Sequence, residues 1–259
     1  MPPRESALVL GMRIDRTSYP EASCQVMDWA RSGRPAYACA ANVHMVMEGF
    51  DSAELQRAVN AADLVTADGV PLVWCLRLLG YPAATRVYGP DLTLAVLRDA
   101  AAAGMPVGFF GGSAEVLVQL QAALDRQFPS LRVAFAESPP FRALTPEEDS
   151  AAVERVNASG AAILFVGLGC PKQELWMAAH RGRIQAVMLG VGAAFDFLAG
   201  SKPQAPRWMM RYGLEWLFRF ATEPRRLWRR YLKHNPRFVA LFARQFLSGR
   251  RKAENSLAS

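Results

Sequence analysis

The sequence predicts an α/β fold: a Rossmann-like, mainly parallel sheet with flanking helices, followed by a basic C-terminal helical appendage. Three observations predict it. Short apolar runs alternate with helical patterns through residues 1–200. Those runs are apolar at successive positions, as in strands covered on both faces by crossover helices. Beyond residue 200 the strand signals stop and amphipathic basic helical patterns take over.

The elements follow in order. Strands are expected at 37-YACAAN-42, 63-DLVTAD-68, 107-VGFFGG-112, 132-RVAFAE-137, 161-AAILFVG-167 and 186-AVMLGVG-192, each ending in small or polar residues. Helices are expected over 52–62, 70–80, 91–104, 114–128, 146–160 and 172–182, with Gly80, Gly104 and Gly160 as stops. The appendage reads as helices 207–224 and 225–249, with Pro206, Pro224 and Pro236 as natural boundaries. The expected organisation is a Rossmann-like domain over 1–200 and a basic amphipathic helical appendage over 201–259.

Length and composition narrow the class. A chain of 259 residues, 51% hydrophobic, supports one large domain with a sizeable core and excludes a disordered protein. Cys24, Cys39, Cys75 and Cys170 stand singly and read as buried thiols in a reducing compartment, with neither a disulfide framework nor a zinc site. The first 21 residues lack a basic segment followed by a long apolar one, so no signal peptide is expected and the cytosol is the default. Apolar runs such as 184–195 stop at about 12 to 15 residues, too short for a membrane span.

Charge is unevenly placed. From Ser201 onward there are 14 Lys/Arg and three acids, a net of +11, so the formal total of +7 leaves −4 for the first 200 residues. The same segment interleaves aromatics, among them Trp208, Trp216, Trp228 and Tyr231, with its cations. Such a surface suits phosphate groups.

Ligands of open α/β sheets bind outside the C-terminal strand ends. The unusual residues fall on that rim: Asn42, Thr66 to Gly69, Gly111 to Ser113, Gly167 to Glu174, and Gly192 to Asp196. In 167-GLGCPKQELW-176 a strand ends in glycines and restarts as a proline-led helix, a turn that offers backbone N–H groups to an anion. Locally, Asp68 and Asp91 read equally as helix caps, Asn42 as a satisfier of backbone groups, and Gln173 and Glu174 as first-turn residues. Asp196, between Phe195 and Phe197, needs a partner.

Several chemistries are set aside. Neither G-x-G-x-x-G nor G-x-x-x-x-G-K-[ST] occurs, which weakens oxidoreductase and P-loop readings. His44, His180 and His234 are dispersed along the chain, so no metal cluster is expected, and no G-x-S-x-G elbow accompanies them. No D-x-D occurs either, so a diphosphate would be met by backbone amides and arginines. No cofactor and no metal are expected.

Six ordered blocks then carry a resemblance: 66-TADGVPLVW-74, 86-RVYGPDL-92, 107-VGFFGG-112, 166-VGLGCPKQELW-176, 190-GVGAAFDFLAG-200 and the basic aromatic run 205–231. Over about residues 35 to 235 the chain resembles the WecG/TagA/CpsF glycosyltransferases, glycosyltransferase family 26. The resemblance implies a Rossmann-like fold whose appendage contacts membrane and helps close the site. It implies inverting, metal-independent transfer from a UDP-sugar to a polyprenyl-diphosphate-linked sugar, peripherally at the cytoplasmic face of the inner membrane, for surface or exopolysaccharide synthesis. By motif it makes Asp68 the general base, places Asn42, Arg86 and Gln173 around sugar and diphosphate, and has Gly111, Gly112, Gly169 and Asp196 shape the nucleotide site. Thr66, Gly69, Asp91 and Glu174, inside the same motifs, join the substrate-binding set. Ala40 stands where family members often carry threonine, which opens the donor from N-acetylmannosamine to a hexose or uronic acid.

Without a metal, cations must neutralise the leaving UDP and the lipid diphosphate, and Arg207, Arg211, Arg219, Arg225 and Arg226 are at hand. Arg229, Arg230, Lys233, Arg250, Arg251 and Lys252 are assigned to anionic head groups, each contributing about 1 kcal/mol near a charged surface. Trp216 and Trp228 suit an interface or packing. The competing class is a nucleotide-binding module whose basic aromatic tail grips nucleic acid or membrane without catalysis. The helical spacing of those aromatics speaks against base stacking, so no nucleic acid partner is expected. The sequence leaves room for a homo-oligomer.

Overall fold

The computed structural model describes residues 5–257, except for the side chains of Arg226 and of residues 250–257. The expectations for Arg226, Arg250, Arg251 and Lys252 therefore lie outside the described side chains. A hairpin comes first, β1 (Ser6–Val9) and β2 (Met12–Asp15), antiparallel and turned by Leu10 and Gly11 with φ of 52° and 83°. It precedes α1 (Tyr19–Arg31), which opens on a Ser18/Glu21 capping box.

Alternating units follow: β3 (Tyr37–Ala41), α2 (Val43–Asp51), α3 (Ala53–Asn60), β4 (Leu64–Ala67), α4 (Val70–Leu78), α5 (Gly89–Ala102), β5 (Val107–Gly111) and α6 (Ala114–Gln127). The chain continues through β6 (Val133–Glu137), α7 (Pro146–Ala158), β7 (Ile163–Gly167), α8 (Lys172–Ala179), β8 (Val187–Gly190) and α9 (Ala194–Leu198). It ends in α10 (Arg207–Arg211), α11 (Glu215–Thr222) and α12 (Pro224–Leu257). All six expected strands are present and form one parallel sheet in the order β4-β3-β8-β7-β5-β6.

Strand side chains point alternately to the two faces, and β7 shows the result. Leu164 and Val166 join a core with α2, α3, α4, α7 and α12, whereas Ile163 and Phe165 join one with α1, α5 and α6. Both faces are thereby covered, which is why the runs are apolar at successive positions. The β2 end shields the sheet edge: Asp15 Oδ2 accepts the Val65 amide at 2.8 Å.

The structure departs from the sequence expectation in four places. The hairpin, α1, α2 and α9 were not foreseen; the Ser18…Glu21 spacing and Asn42 were readable signals for the first two of these helices. The expected helix 207–224 breaks into α10 and α11 at Gly213, whose φ of +73° ends the first as a left-handed cap. Pro236, expected as a boundary, lies inside α12. Interior proline costs a helix about 3 kcal/mol, and burial of Phe238 and Phe242 immediately beyond it against the main core favours continuation. Finally, Cys24 is exposed, on the α1 face opposite buried Ala22, Val26 and Trp29, while Cys39 and Cys75 are buried and Cys170 half-buried.

Candidate active site

A cavity of about 570 Å³ opens at the C-terminal ends of β3 and β4, walled by α4, α11 and α12. Asn42, Asp68, Gly69 and Arg86 line it at the sheet, and Arg219, Arg230 and Tyr231 face it from the last two helices. Farther along α4 and α12 the lining turns apolar, with Trp74, Leu78, Phe238, Val239, Phe242 and Phe246. The cavity is thus amphipathic, with titratable groups from the sheet rim, α2, α11 and α12 and an apolar stretch beyond them.

Backbone bonds fix that rim. The amides of Asp68 and Gly69 both donate to Ala41 O, at 2.9 and 3.2 Å, which draws the loop after β4 onto the end of β3. Asn42 caps α2, its Oδ1 accepting the Met45 amide at 3.2 Å. Gly69 caps α4 without a side chain, and a Cβ there would come 3.4 Å from Asn42 Cα. Asp68 is therefore not the helix cap its position suggested. Its Oδ1 instead accepts the Gly89 amide at 2.7 Å, across to the start of α5.

Burial pushes the Asp68 carboxyl up to about 6, because the charged form is poorly solvated there; the nearby Arg86 cation opposes the shift, and Glu215 adds to it. Arg86 Nε donates to Asp68 O at 2.5 Å and Nη2 to Glu215 Oε2 at 2.6 Å, with the guanidinium 4.3 Å above the Tyr88 ring. Arg86 consequently ties the β4 loop to α11. Arg219, one turn along from Glu215, also lies 5.9 Å over the Phe197 ring of α9.

The glycine-rich turns form the adjoining stretch of rim. Gly111 pairs with Gly167 at the ends of β5 and β7, and a Cβ on Gly111 (φ +121°) would lie 2.5 Å from the Gly167 carbonyl carbon. Only glycine fits. Gln173 holds the next two turns together: Oε1 accepts the amides of Gly169 at 3.2 Å and Gly192 at 3.1 Å, while Nε2 donates to Glu174 Oε1 at 2.6 Å. The last bond sets which way the amide faces. Glu174 is fully buried, which pushes its carboxyl up from the usual carboxylate range. Gly89 joins the two stretches, since a Cβ there would be 3.7 Å from Asp68 Oδ1 and 4.0 Å from Val191 O.

Of the residues singled out in the sequence, Asn42, Asp68, Gly69, Arg86 and Arg219 meet in the cavity, and Gly111, Gly112, Gly169 and Asp196 sit along the adjoining turns. Others are placed elsewhere. Thr66 is buried in β4 with its hydroxyl donating to Val87 O at 3.3 Å, and buried Gln173 and Glu174 brace the rim from beneath. Asp91 and Arg207 pair with each other at 2.7 Å, outside the cavity lining. Arg211 and Arg225 are exposed away from it. Asp196 has the partner it required, Lys202 Nζ at 2.9 Å.

Arg230, expected at head groups, faces the cavity instead, because it stands on the same side of α12 as Tyr231 and His234. Sequence reasoning also missed Glu215, His44, Trp74 and Tyr231 as lining residues. Their long-range meeting carries no local signal, although the resemblance implied an appendage that helps close the site. A family model described as the glycosyl transferase WecG/TagA/CpsF family matches residues 7–252.

Proposed function

The chain belongs to the WecG/TagA/CpsF glycosyl transferase family, and from that premise we propose inverting transfer of a sugar from a UDP-sugar to a polyprenyl-diphosphate-linked glycan, with Asp68 as general base. Glycosyl transfer, with a nucleotide-sugar donor and a glycan acceptor, is the activity of the family. The observation that carries the finer reading is the Asp68 carboxylate: it faces an amphipathic cavity, its Oδ1 is held by Gly89, and its pKa near 6 leaves it ionised yet basic at neutral pH.

In this reading the acceptor hydroxyl oxygen attacks the anomeric carbon while its proton passes to Asp68. The bond from that carbon to the donor diphosphate oxygen breaks on the opposite face, and UDP leaves with the electron pair. The donor nucleotide lies along the Gly111, Gly169 and Gly192 turns, and the acceptor occupies the cavity. Arg219 and Arg230 face that cavity and supply charge to the diphosphates. Arg86 keeps Asp68 and α11 in register. The apolar stretch between α4 and α12 suits the hydrocarbon of a lipid-linked acceptor.

Membrane association is part of the same proposal. No described helix is long and apolar enough to cross a bilayer. The segment 201–259 is read as a peripheral appendage at the inner membrane face, where exposed Arg225, Trp228, Arg229 and Lys233 meet anionic lipid. A panel of UDP-sugars offered with a short-chain lipid-diphosphate sugar, without added metal and read by product mass, tests the reading. One donor should give a product heavier by one glycosyl residue; silence across the panel would overturn the donor and acceptor assignment.

A further inference from the structure

The sequence separates the three histidines widely, but the fold brings two of them together. His180 is spent elsewhere, with Nδ1 2.7 Å from Trp176 O and Nε2 2.8 Å from Asp149 Oδ1. His44 and Glu48 stand one turn apart on α2 and so share a face. α12 lays His234 against that face: His234 Nε2 is 3.2 Å, and His44 Nδ1 3.8 Å, from the same oxygen, Glu48 Oε1. The two imidazole rings are 5.3 Å apart at 65°.

One donor atom from each of the three residues falls within 4.8 Å of the others. Ligand bonds of about 2.0–2.2 Å place donor atoms roughly 3 to 3.5 Å apart around an ion. The widest pair therefore needs a contraction of about 1.3 to 1.8 Å, within the reach of side-chain rotations. A second observation points the same way. His44 Nδ1 is buried and has no hydrogen-bond partner, although it is aimed at the Glu48 carboxylate. A buried polar atom in that state is costly, and an ion held between the two would satisfy it.

We propose that His44, Glu48 and His234 bind a divalent transition-metal ion of the zinc class, which pins α12 to α2. Two imidazoles and one carboxylate suit Zn²⁺, Co²⁺ or Ni²⁺ and disfavour Mg²⁺ and Ca²⁺, which take oxygen ligands. His44 and His234 both line the cavity, so the remaining coordination position opens toward it. Arg230 and Lys233 on α12 oppose a further cation, and Glu48 and Asp51 on α2 offset them. Asp51 draws Lys233 to itself at 4.0 Å and Arg237 at 2.7 Å. The site is accordingly weaker than a closed four-ligand site, and its test reads metal binding without the transfer reaction proposed above.

The test is titration of the full-length, metal-stripped protein with Co²⁺ and Zn²⁺, followed by visible ligand-field absorption, calorimetry and thermal melting. One equivalent should bind, with a Co²⁺ band and a raised Tm. His44→Gln and Glu48→Gln should each weaken binding by about tenfold or more, and His234→Gln should do the same if its buried position tolerates the change. Absence of band and heat with metal in excess would overturn the proposal. So would unchanged affinity in both His44→Gln and Glu48→Gln, because the ion would then sit elsewhere.

Discussion

Asp68 Oδ1 accepts the backbone amide of Gly89 at 2.7 Å, a bond that joins the end of β4 to the first residue of α5. It fixes the carboxylate at the cavity wall, and among the described residues Oδ2 has no hydrogen-bond partner. Burial raises the pKa to about 6. A base must be ionised to accept a proton, so kcat/KM should rise with pH through about 6 and then level off. A profile flat from about pH 5 to 8 would remove Asp68 as the titrating base.

The same shift predicts an effect on stability. A carboxyl whose pKa is higher in the folded than in the unfolded state favours folding below its unfolded value, and that contribution is lost as pH rises through about 6. Asp68→Asn carries no such charge and keeps an acceptor for Gly89. Its Tm should therefore exceed that of the wild type at about pH 8, with the difference closing toward about pH 4. A lower Tm for the variant at the higher pH would show that the ionised carboxylate stabilises the fold.

Gln173 offers a test of the glycine-rich rim. Its Oε1 takes two amides from different turns, and buried Glu174 orients it. Gln173→Leu leaves both amides without their acceptor, at about 1–3 kcal/mol for each that stays dry. UDP affinity should fall and Tm should drop, whereas an unchanged UDP affinity by calorimetry would separate these turns from the nucleotide.

The sheet was legible in the sequence because each strand is a short apolar run closed by small or polar residues, and the parallel order follows from burial on both faces. Asn42 and Asp68 were legible as a rim because they close those strands, whereas Arg86 was marked only by the motif resemblance. What could not be read was pairing at long range. Glu215 meets Arg86 across 129 positions, and His234 meets Glu48 across 186; nothing local records either contact. Thr66 and Glu174 looked like site residues because motif position does not distinguish a side chain facing the cavity from one packed beneath it.

The proposed membrane contact is assigned to the exposed cations of α12. Reversing Arg225, Arg229 and Lys233 to glutamate should weaken binding to anionic vesicles by more than a hundredfold, at about 1 kcal/mol for each charge removed and more for reversal. Neutral vesicles should show little change. Unaltered binding to anionic vesicles would move the contact surface elsewhere. The triple variant is preferable to truncation after Gly200, which would strip Phe238 and Phe242 from the core.

The central claim, that Asp68 drives glycosyl transfer as the base, is tested most directly by turnover of wild type and Asp68→Asn with the UDP-sugar and lipid-diphosphate acceptor identified in the panel. Product mass reads turnover and calorimetry reads UDP affinity. The account predicts a loss of turnover of about 10²- to 10⁴-fold with UDP affinity retained. Turnover of Asp68→Asn at the wild-type rate would contradict it.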